Sequence, residues 1–501
     1  MHIGRHPQPS YGALAITRVV RTVNLYPSLR LSLGALDVCL SSRRPAEARG
    51  ERIIMKKPTI QCFVAACALL MLPAGAVAQT DPGPRGGAAN AGAPLPGLTT
   101  KEAKFFNAGL DEFMEVASVT GGVDDTEIGL GPRFNMNSCA VCHSQPAIGG
   151  SSPASNPQVS GGPPAQVSVL TGLGILNADG PVREVRFTTD GGVHDLFTIM
   201  GLPDTPAACH IAQPDFAGAM ASGTIRFRIP TPMFGSGLIE AIPDAKIIAN
   251  AAAIKPFGIT GAVNRNGNDG TVTRFGWKAQ NKSLVIFAGE AYNVEQGITN
   301  ELFPDERGDS GVPDPAVCHQ VVPAPQDSIN YEITQPQGVV DNTGSFANFM
   351  RFLAPPAPVS SYGTATAAQI TAGATAFNKA GCNVCHLKSM TTGNHLTAAL
   401  RFKTVNLFSD LLVHDVGTGD DIPQGLATGA QFRTAPLWGV GQRLFFLHDG
   451  SKTNLIDAIT AHDGEAQRVI NNYKGVSVGE DAPFNLTATE RQNLIYFLRS
   501  L

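Results

Sequence analysis

Apolar residues recur at helical spacing in four stretches of this chain, which predicts four principal helices. Three are Lys101–Val116, Ala279–Val294 and Ala367–Lys379. The fourth follows the capping box Thr487-x-x-Glu490 and presents one apolar stripe, made of Leu494, Ile495, Leu498 and Leu501. Short β-like runs at Val167–Leu170 and Thr224–Ile229 lie between Gly- and Pro-rich turns. The pattern predicts a mainly α fold with extensive loops and short β segments.

One other apolar run, Ile60–Leu72, has Lys56 and Lys57 before it and the small residues 76–78 after it. This order is typical of a secretory signal peptide, here residues 55–78. The run is short for a membrane span and no longer one follows, so we expect an exported, periplasmic protein with no stable membrane span. Residues 1–54 hold eight arginines and three acids, and are interpreted as a mis-called start or a leader, with an organelle transit peptide as the alternative.

Length and charge restrict the possible functions. The 501 residues, 43% of them hydrophobic, suffice for two or three packed domains, and 54 glycines with 36 prolines predict many loops. Residues 1–78 hold 10 of the 37 basic and 3 of the 41 acidic residues, which leaves a formal net charge of −11 on the remainder. Nucleic acid is therefore excluded as an expected partner. A small redox donor protein, of the cytochrome c or cupredoxin type, or a small soluble substrate fits better.

Two copies of a Cys-x-x-Cys-His motif carry the clearest chemistry. They are Cys139-Ala-Val-Cys142-His143 and Cys382-Asn-Val-Cys385-His386. Two thiols can add to the vinyl groups of a haem while the adjacent imidazole ligates its iron. A thioredoxin-like pair needs neither the histidine nor a second copy, and a zinc site would use the four thiols together. The sequence predicts two covalently bound haem c groups, with His143 and His386 as iron ligands.

Cys209 and Cys318 are the other two cysteines after residue 78. In an oxidising compartment we expect them to form a disulfide. Because His210 and His319 follow them, a metal site is the alternative, although no carboxylate or thiol cluster accompanies it.

Composition shifts divide the chain into predicted segments. Residues 79–98 are interpreted as a flexible leader and residues 99–352 as a first haem domain. That domain includes a large loop-and-strand insertion from about 145 to 269. The proline-rich segment Leu353–Thr364 is the predicted boundary. Residues 365–501 resemble a cytochrome c module, so two cytochrome c-like haem domains are expected.

Several longer motifs resemble the dihaem oxidoreductase family, which is related to bacterial dihaem cytochrome c peroxidases. They extend from Leu130-Gly-Pro-Arg-Phe134 through the first haem motif to Gly149-Gly150, and include Arg274-Phe-Gly-Trp-Lys-Ala279, Phe432-Arg-Thr-Ala-Pro-Leu-Trp-Gly439 and Leu447-His-Asp-Gly450. The resemblance covers essentially all of the chain after the signal segment.

The resemblance implies roles for individual residues. The order Trp277, Ser283-Leu284, Asn293-Val294-Glu295 is similar to a tryptophan between the haems followed by an acid–base glutamate, so Trp277 and Glu295 are the predicted catalytic residues. His462 falls where the peroxidases have the distal ligand of the second haem, with Met390 and His414 as competitors. His448 is read as structural. No histidine follows His143 until His194, so the first haem is expected to have an open face.

The resulting hypothesis is an exported dihaem c-type peroxidase that reduces peroxide at the first haem with electrons delivered through the second. The alternatives are an electron-relay cytochrome without catalysis and a dioxygen-using haem oxygenase. The spin state separates the first two, because an open haem is high-spin and a doubly ligated haem is low-spin.

Overall fold

The computed structural model describes residues 79–309, 312–319, 325–328, 341–477 and 483–501. The predicted leader and signal peptide, residues 1–54 and 55–78, lie outside these ranges. Within them, none of the helices is long and apolar enough to cross a membrane.

Helices make up most of the regular structure in the described ranges. They are α1 (Thr100–Met114), α2 (Cys139–Cys142), α3 (Pro157–Gly161), α4 (Pro164–Gly172), α5 (Phe216–Ser222), α6 (Ser236–Glu240), α7 (Asp244–Ala252), α8 (Leu284–Gln296), α9 (Asn342–Phe352), α10 (Ala367–Ala380), α11 (Leu455–Thr460), α12 (Gln467–Lys474) and α13 (Ala488–Ser500). Short 3-10 turns cover Pro256–Gly258, Ala316–Cys318, Cys382–Val384, Val440–Gln442 and Gly464–Ala466.

The strands are two to four residues long and form two-stranded sheets. They are β1 (Ala117–Ser118), β2 (Glu127–Ile128), β3 (Arg133–Phe134), β4 (Glu184–Phe187), β5 (Phe197–Thr198), β6 (Ile225–Arg228), β7 (Met390–Thr391), β8 (Thr404–Val405), β9 (Val413–Asp415) and β10 (Gln431–Arg433). β1 pairs with β2 in parallel, and the pairs β3–β5, β4–β6, β7–β8 and β9–β10 are antiparallel. The prediction of a mainly helical chain with short strands is confirmed.

The stretch from 145 to 269 contains more helix than the sequence predicted. Thr224–Ile229 was expected to be extended, and β6 confirms this. Val167–Leu170 was also expected to be extended, which is wrong, because these residues lie inside α4. Pro164 begins that helix, and a short apolar run without alternation does not distinguish a strand from a buried helix.

Helix α1 crosses α9 at a glycine. A Cβ atom on Gly109 would lie 2.2 Å from the carbonyl oxygen of Ser345, so the two backbones touch at this point. One turn later Phe113 packs against Phe349, with 4.8 Å between the ring centroids, and against the ring of His143 at 6.1 Å. The crossing therefore holds an aromatic ring beside the first Cys-x-x-Cys-His segment.

The crossing of α10 and α13 has the same construction. A Cβ atom on Gly373 would lie 1.9 Å from the carbonyl oxygen of Asn493. Phe377, again four residues after the glycine, packs 5.5 Å from Phe497 and 6.3 Å from the ring of His386. Each haem motif thus follows a helix with a Gly-x-x-x-Phe sequence, in which the glycine allows the close approach and the phenylalanine contacts the motif histidine.

The predicted flexible leader, residues 79–98, is packed in the structure. Asp81 forms an ion pair with Arg499 of α13 at 2.7 Å, and both side chains are buried. The backbone N–H of Arg85 donates to the carbonyl oxygen of Gly441, and Leu95 is buried in the core. Glycine-rich composition therefore misled the prediction, because a few anchoring side chains are enough to order such a segment.

Core packing crosses the segment that the sequence suggested as a domain boundary. One hydrophobic cluster contains Phe349 and Leu353 of the first predicted domain together with Leu400 and Leu412 of the second. A second cluster is built from α10, α11 and α13 around Phe377 and Leu494. The boundary at 353–364 remains a prediction.

Cys209 and Cys318 are disulfide-bonded, which confirms the expected pairing and occupies both thiols. Both residues are buried in the larger core cluster. The bridge therefore connects the segment after β5 to the segment after α8.

Candidate haem sites

The first Cys-x-x-Cys-His segment lines a cavity of about 1150 Å³, called here the first cavity. Cys139 and Cys142 are free thiols on the single turn α2, and His143 follows directly. The Nδ1 atom of His143 donates to the carbonyl oxygen of Gly150 at 3.0 Å. A Cβ atom on Gly150 would lie 2.0 Å from the carbonyl oxygen of Gln145, so glycine is required in this turn. This bond leaves Nε2 without its proton and available to ligate iron.

Glu295, at the end of α8, also lines the first cavity. Burial and the nearby carboxylates of Glu184 and Asp195 raise its pKa to about 8, against the opposing effects of Arg307 and Asn135. The side chain is therefore mainly protonated at neutral pH and can both hold and release a proton.

A second cavity, of about 1330 Å³, is lined by Cys382, Cys385, His386 and His462. The Nδ1 atom of His386 donates to the carbonyl oxygen of Phe408 at 2.9 Å, and that of His462 donates to Ala458 at 2.8 Å. Both rings thus leave Nε2 unprotonated. Burial lowers the pKa of His386 to about 4 and also lowers that of His462. Two neutral imidazoles held in this way suit a metal with two histidine ligands.

The competitors proposed for the distal position have other contacts. Both nitrogens of His414 are bound to carboxylates, Nε2 to Asp410 at 3.0 Å and Nδ1 to Glu465 at 3.1 Å. Burial lowers the pKa of His414, but the hydrogen bond and charge of Asp410 outweigh it and raise the pKa to about 11. A charged ring without a free nitrogen is a poor iron ligand. Met390 belongs to the larger core cluster and does not line the second cavity.

Trp277 lines both cavities. Its indole Nε1 donates to the carbonyl oxygen of Ile229 at 2.8 Å, and its own carbonyl oxygen accepts from the N–H of Arg433 at 2.8 Å. These bonds fix the ring between β6 and β10. His448, predicted to be structural, stacks on Phe432 at 4.0 Å, and its carbonyl oxygen accepts from Ile229.

The environment of Arg443 indicates whether a haem group fits the second cavity. Arg443 is buried, lines this cavity, and has no hydrogen-bond partner for Nε or Nη2 among the described residues. Burial lowers its pKa to about 10, and a buried guanidinium without an anion is costly. Haem carries carboxylate side chains that would satisfy these donors. The guanidinium also lies 6.0 Å over the ring of Trp277. Free thiols, neutral imidazoles and an unpaired arginine together fit a haem group.

Sequence reasoning missed a buried charged cluster next to Trp277. The Nζ atom of Lys278 is fully buried and lies 3.0 Å from Asp420, and it also donates to the carbonyl oxygens of Thr428, Gly429 and Gln431. Arg228 donates to the other oxygen of Asp420 at 2.6 Å. The only sequence signal was the lysine inside the Arg274–Ala279 motif, because Asp420 and Arg228 are distant in sequence.

A second missed group lies behind Glu295. Asp195 and Asn135 are buried. Asn135 directly follows the Leu130–Phe134 motif but was given no role, and Asp195 belongs to no motif. Their proximity to Glu295 depends on β3 and β5 being paired, which the sequence did not predict.

Comparison with known protein families matches residues 220–501 to the family described as "Di-haem oxidoreductase, putative peroxidase". The match covers more than half of the chain, including the second Cys-x-x-Cys-His motif, Trp277, Glu295 and His462. The search of curated proteins found no match.

Two solved structures show weak similarity. The first, hydrazine synthase of Kuenenia stuttgartiensis pressurised with xenon, is 19% identical over 33% of this chain, with a TM-score of 0.22. The chain spans 56% of that hydrazine synthase chain. The second, a MauG-like protein associated with microbial copper homeostasis, is 17% identical over 54% of this chain and 90% of its own, with a TM-score of 0.26.

Proposed function

Because this chain belongs to the di-haem oxidoreductase family, we propose that it is an exported c-type peroxidase that reduces peroxide in the first cavity. A small redox protein would deliver electrons through the second cavity. The observation that carries the proposal is the difference between the cavities. The first combines one motif histidine with a protonated carboxyl, and the second has two histidines with free Nε2 atoms.

Four cysteines support covalent attachment in both cavities. Cys139 and Cys142 line the first, Cys382 and Cys385 line the second, and all four are free thiols while Cys209 and Cys318 are oxidised. The disulfide and the signal-like residues 55–78 support export to an oxidising compartment, because disulfides persist there. We propose the periplasm.

Bound haem would supply an iron that polarises a peroxide where a coordination position is open, and that exchanges electrons where both positions are filled. The residues of the chain provide the rest. His143, fixed by Gly150, orients one ligand nitrogen toward the first cavity. In its ionised form, Glu295 is the group that can accept a proton from one peroxide oxygen and, once protonated, return it to the other. Trp277 lies against both cavities and suits electron passage between them.

Replacement of Glu295 tests the proposal most directly. We expect Glu295→Gln to retain both haems and their spectra but to lose on the order of 10²–10⁴ in peroxide turnover, the usual contribution of general acid–base catalysis. The matched comparison is Glu290→Gln, on the same helix and also lining the first cavity. This variant should retain most of the turnover. The measurement is steady-state peroxide reduction with a reduced small redox protein as donor.

Two outcomes would overturn parts of the proposal. Wild-type turnover in Glu295→Gln together with a loss in Glu290→Gln would transfer the proton role to Glu290. Absence of a carbon monoxide-sensitive haem in the reduced wild-type protein would contradict an open first site and favour an electron-relay cytochrome.

A further inference from the structure

Asp195 is a buried carboxylate to which neither the sequence motifs nor the proposed function assigns a role. It lies between β4 and β5, and only 3% of its surface is exposed. Its Oδ1 atom accepts from Asn135 Nδ2 at 3.3 Å, and its Oδ2 atom lies 3.5 Å from Arg307 Nη2. Neither contact is short, so this buried charge is only partly neutralised.

Asn135 connects Asp195 to Glu295. Its backbone N–H donates to the carbonyl oxygen of Glu295 at 2.8 Å, and its side-chain Oδ1 accepts from the N–H of Leu196 at 3.0 Å. Because Oδ1 is engaged by Leu196, the Nδ2 group must point the other way. There it donates to Asp195 and to the carboxylate of Glu295. One buried carboxamide therefore contacts the buried carboxyl of Asp195 and the carboxyl of Glu295, which is partly exposed in the first cavity.

We propose that Asp195 and Glu295 share one proton across the Asn135 carboxamide, and that Asp195 is the positioning residue that holds this proton on Glu295. The inference deepens the proposed function, on which the role of Glu295 rests. Both carboxyl groups share the Asn135 donor and the charge of Asp195 acts on Glu295, so ionising both at once is unfavourable. The pair then carries one proton and one negative charge.

The surrounding charges decide which member holds the proton. Arg307 and, at longer range, Arg133 act on Asp195 and favour its ionised form, although burial raises its pKa to about 6. Glu295 has the higher pKa, about 8, and so retains the proton.

Other charged groups also face the pair. Glu184 on β4 further raises the pKa of Glu295, and its carboxylate is bound by Arg186 at 2.5 Å. His194 acts on Asp195 and is itself paired with Asp190 and Asp309. The thiols of Cys139 and Cys142 on α2 face Glu295. Glu184 and Asp195 thus act together, but only Asp195 shares a hydrogen-bond donor with Glu295.

Infrared titration of the haem-loaded full chain tests the shared proton without measuring turnover. The carbonyl band of a protonated buried carboxyl is assigned to Glu295 by its loss in Glu295→Gln. We expect Asp195→Asn, which has nearly the same shape, to lower the pKa of Glu295 by on the order of one unit or more. Arg307→Gln should raise it, because the charge of Arg307 acts directly on Glu295 and lowers its pKa.

The matched control is Asp190→Asn, the same chemical change in a partly exposed residue that contacts His194 but not the pair. It should leave the pKa of Glu295 unchanged. An unshifted pKa in Asp195→Asn would overturn the shared proton, as would an equal shift in Asp190→Asn. The infrared measurement does not depend on peroxide turnover. The shared-proton proposal can therefore be contradicted while the peroxidase proposal holds, and the peroxidase proposal can be contradicted while the shared proton holds.

Discussion

The two cavities share a local construction and differ in the side chain that a later segment adds. Each follows a helix with Gly-x-x-x-Phe, contains a Cys-x-x-Cys-His segment, and has a motif histidine whose Nδ1 donates to a backbone carbonyl oxygen. Helix α8 then brings Glu295 to the first cavity, whereas the end of α11 brings His462 to the second. The attachment motif provides a haem site, and the distant segment determines whether that site suits proton transfer or electron transfer.

The largest expected effect is loss of one haem at a time. Cys139→Ala should weaken covalent attachment in the first cavity only, and Cys382→Ala in the second only, because each thiol lines one cavity. Haem staining and the intact mass of each variant provide the measurement. If either variant still carries two fully attached haems, the assignment of these cysteines is wrong.

The next prediction concerns ligation in the second cavity. His462→Ala should convert one low-spin haem to high-spin and shift its potential, with the first haem unchanged, because it removes one of two imidazoles. Electron paramagnetic resonance and a redox titration measure both effects. His414→Gln is the matched control and should stay low-spin, since both His414 nitrogens are bound to carboxylates. A spin change in His414→Gln but not in His462→Ala would show that His414, and not His462, is the iron ligand.

The disulfide belongs to the core around the first cavity and should therefore affect the two sites unequally. Replacing both Cys209 and Cys318 with alanine should lower the free energy of unfolding by about 2–4 kcal/mol. Denaturant unfolding followed at both haem spectra measures this. We expect the first haem spectrum to change at lower denaturant than in the wild type. An unchanged midpoint would show that the bridge adds no stability.

The smallest predicted effect is a pH dependence confined to the first cavity. The Glu295 pKa of about 8 means that the ionised base is the minor form at pH 7. The kcat/KM for peroxide should therefore rise roughly tenfold from pH 7 to a plateau above about pH 9. Spectra of the second haem should not titrate there, because Glu295 does not line the second cavity. A flat profile, or the same midpoint in Glu295→Gln, would contradict the assignment.

Much of the site could be predicted from the sequence because its chemistry is local. The Cys-x-x-Cys-His residues act within five positions, and the helices around them follow from apolar spacing and capping boxes. The Gly-x-x-x-Phe repeat before both motifs is also present in the sequence, but it is recognised only when the two helices are compared. The prediction of a flexible leader at 79–98 failed because the packing of this segment depends on distant contacts, such as the Asp81–Arg499 pair. The prediction of a strand at Val167–Leu170 failed because a short apolar run fits a buried helix equally well.

By itself, the sequence determined the two Cys-x-x-Cys-His motifs and the family resemblance, and it predicted covalent haem attachment, since that chemistry requires certain residue types at short spacing. It also named Glu295, Trp277 and His462 as candidates by order along the chain. Only the tertiary structure separated His462 from His414, by showing which ring has a free nitrogen. Only the structure brought Asn135 and Asp195 to Glu295 and left Arg443 unpaired. Burial and hydrogen-bond partners come from segments far apart in sequence, so protonation in these cavities is a property of the folded chain.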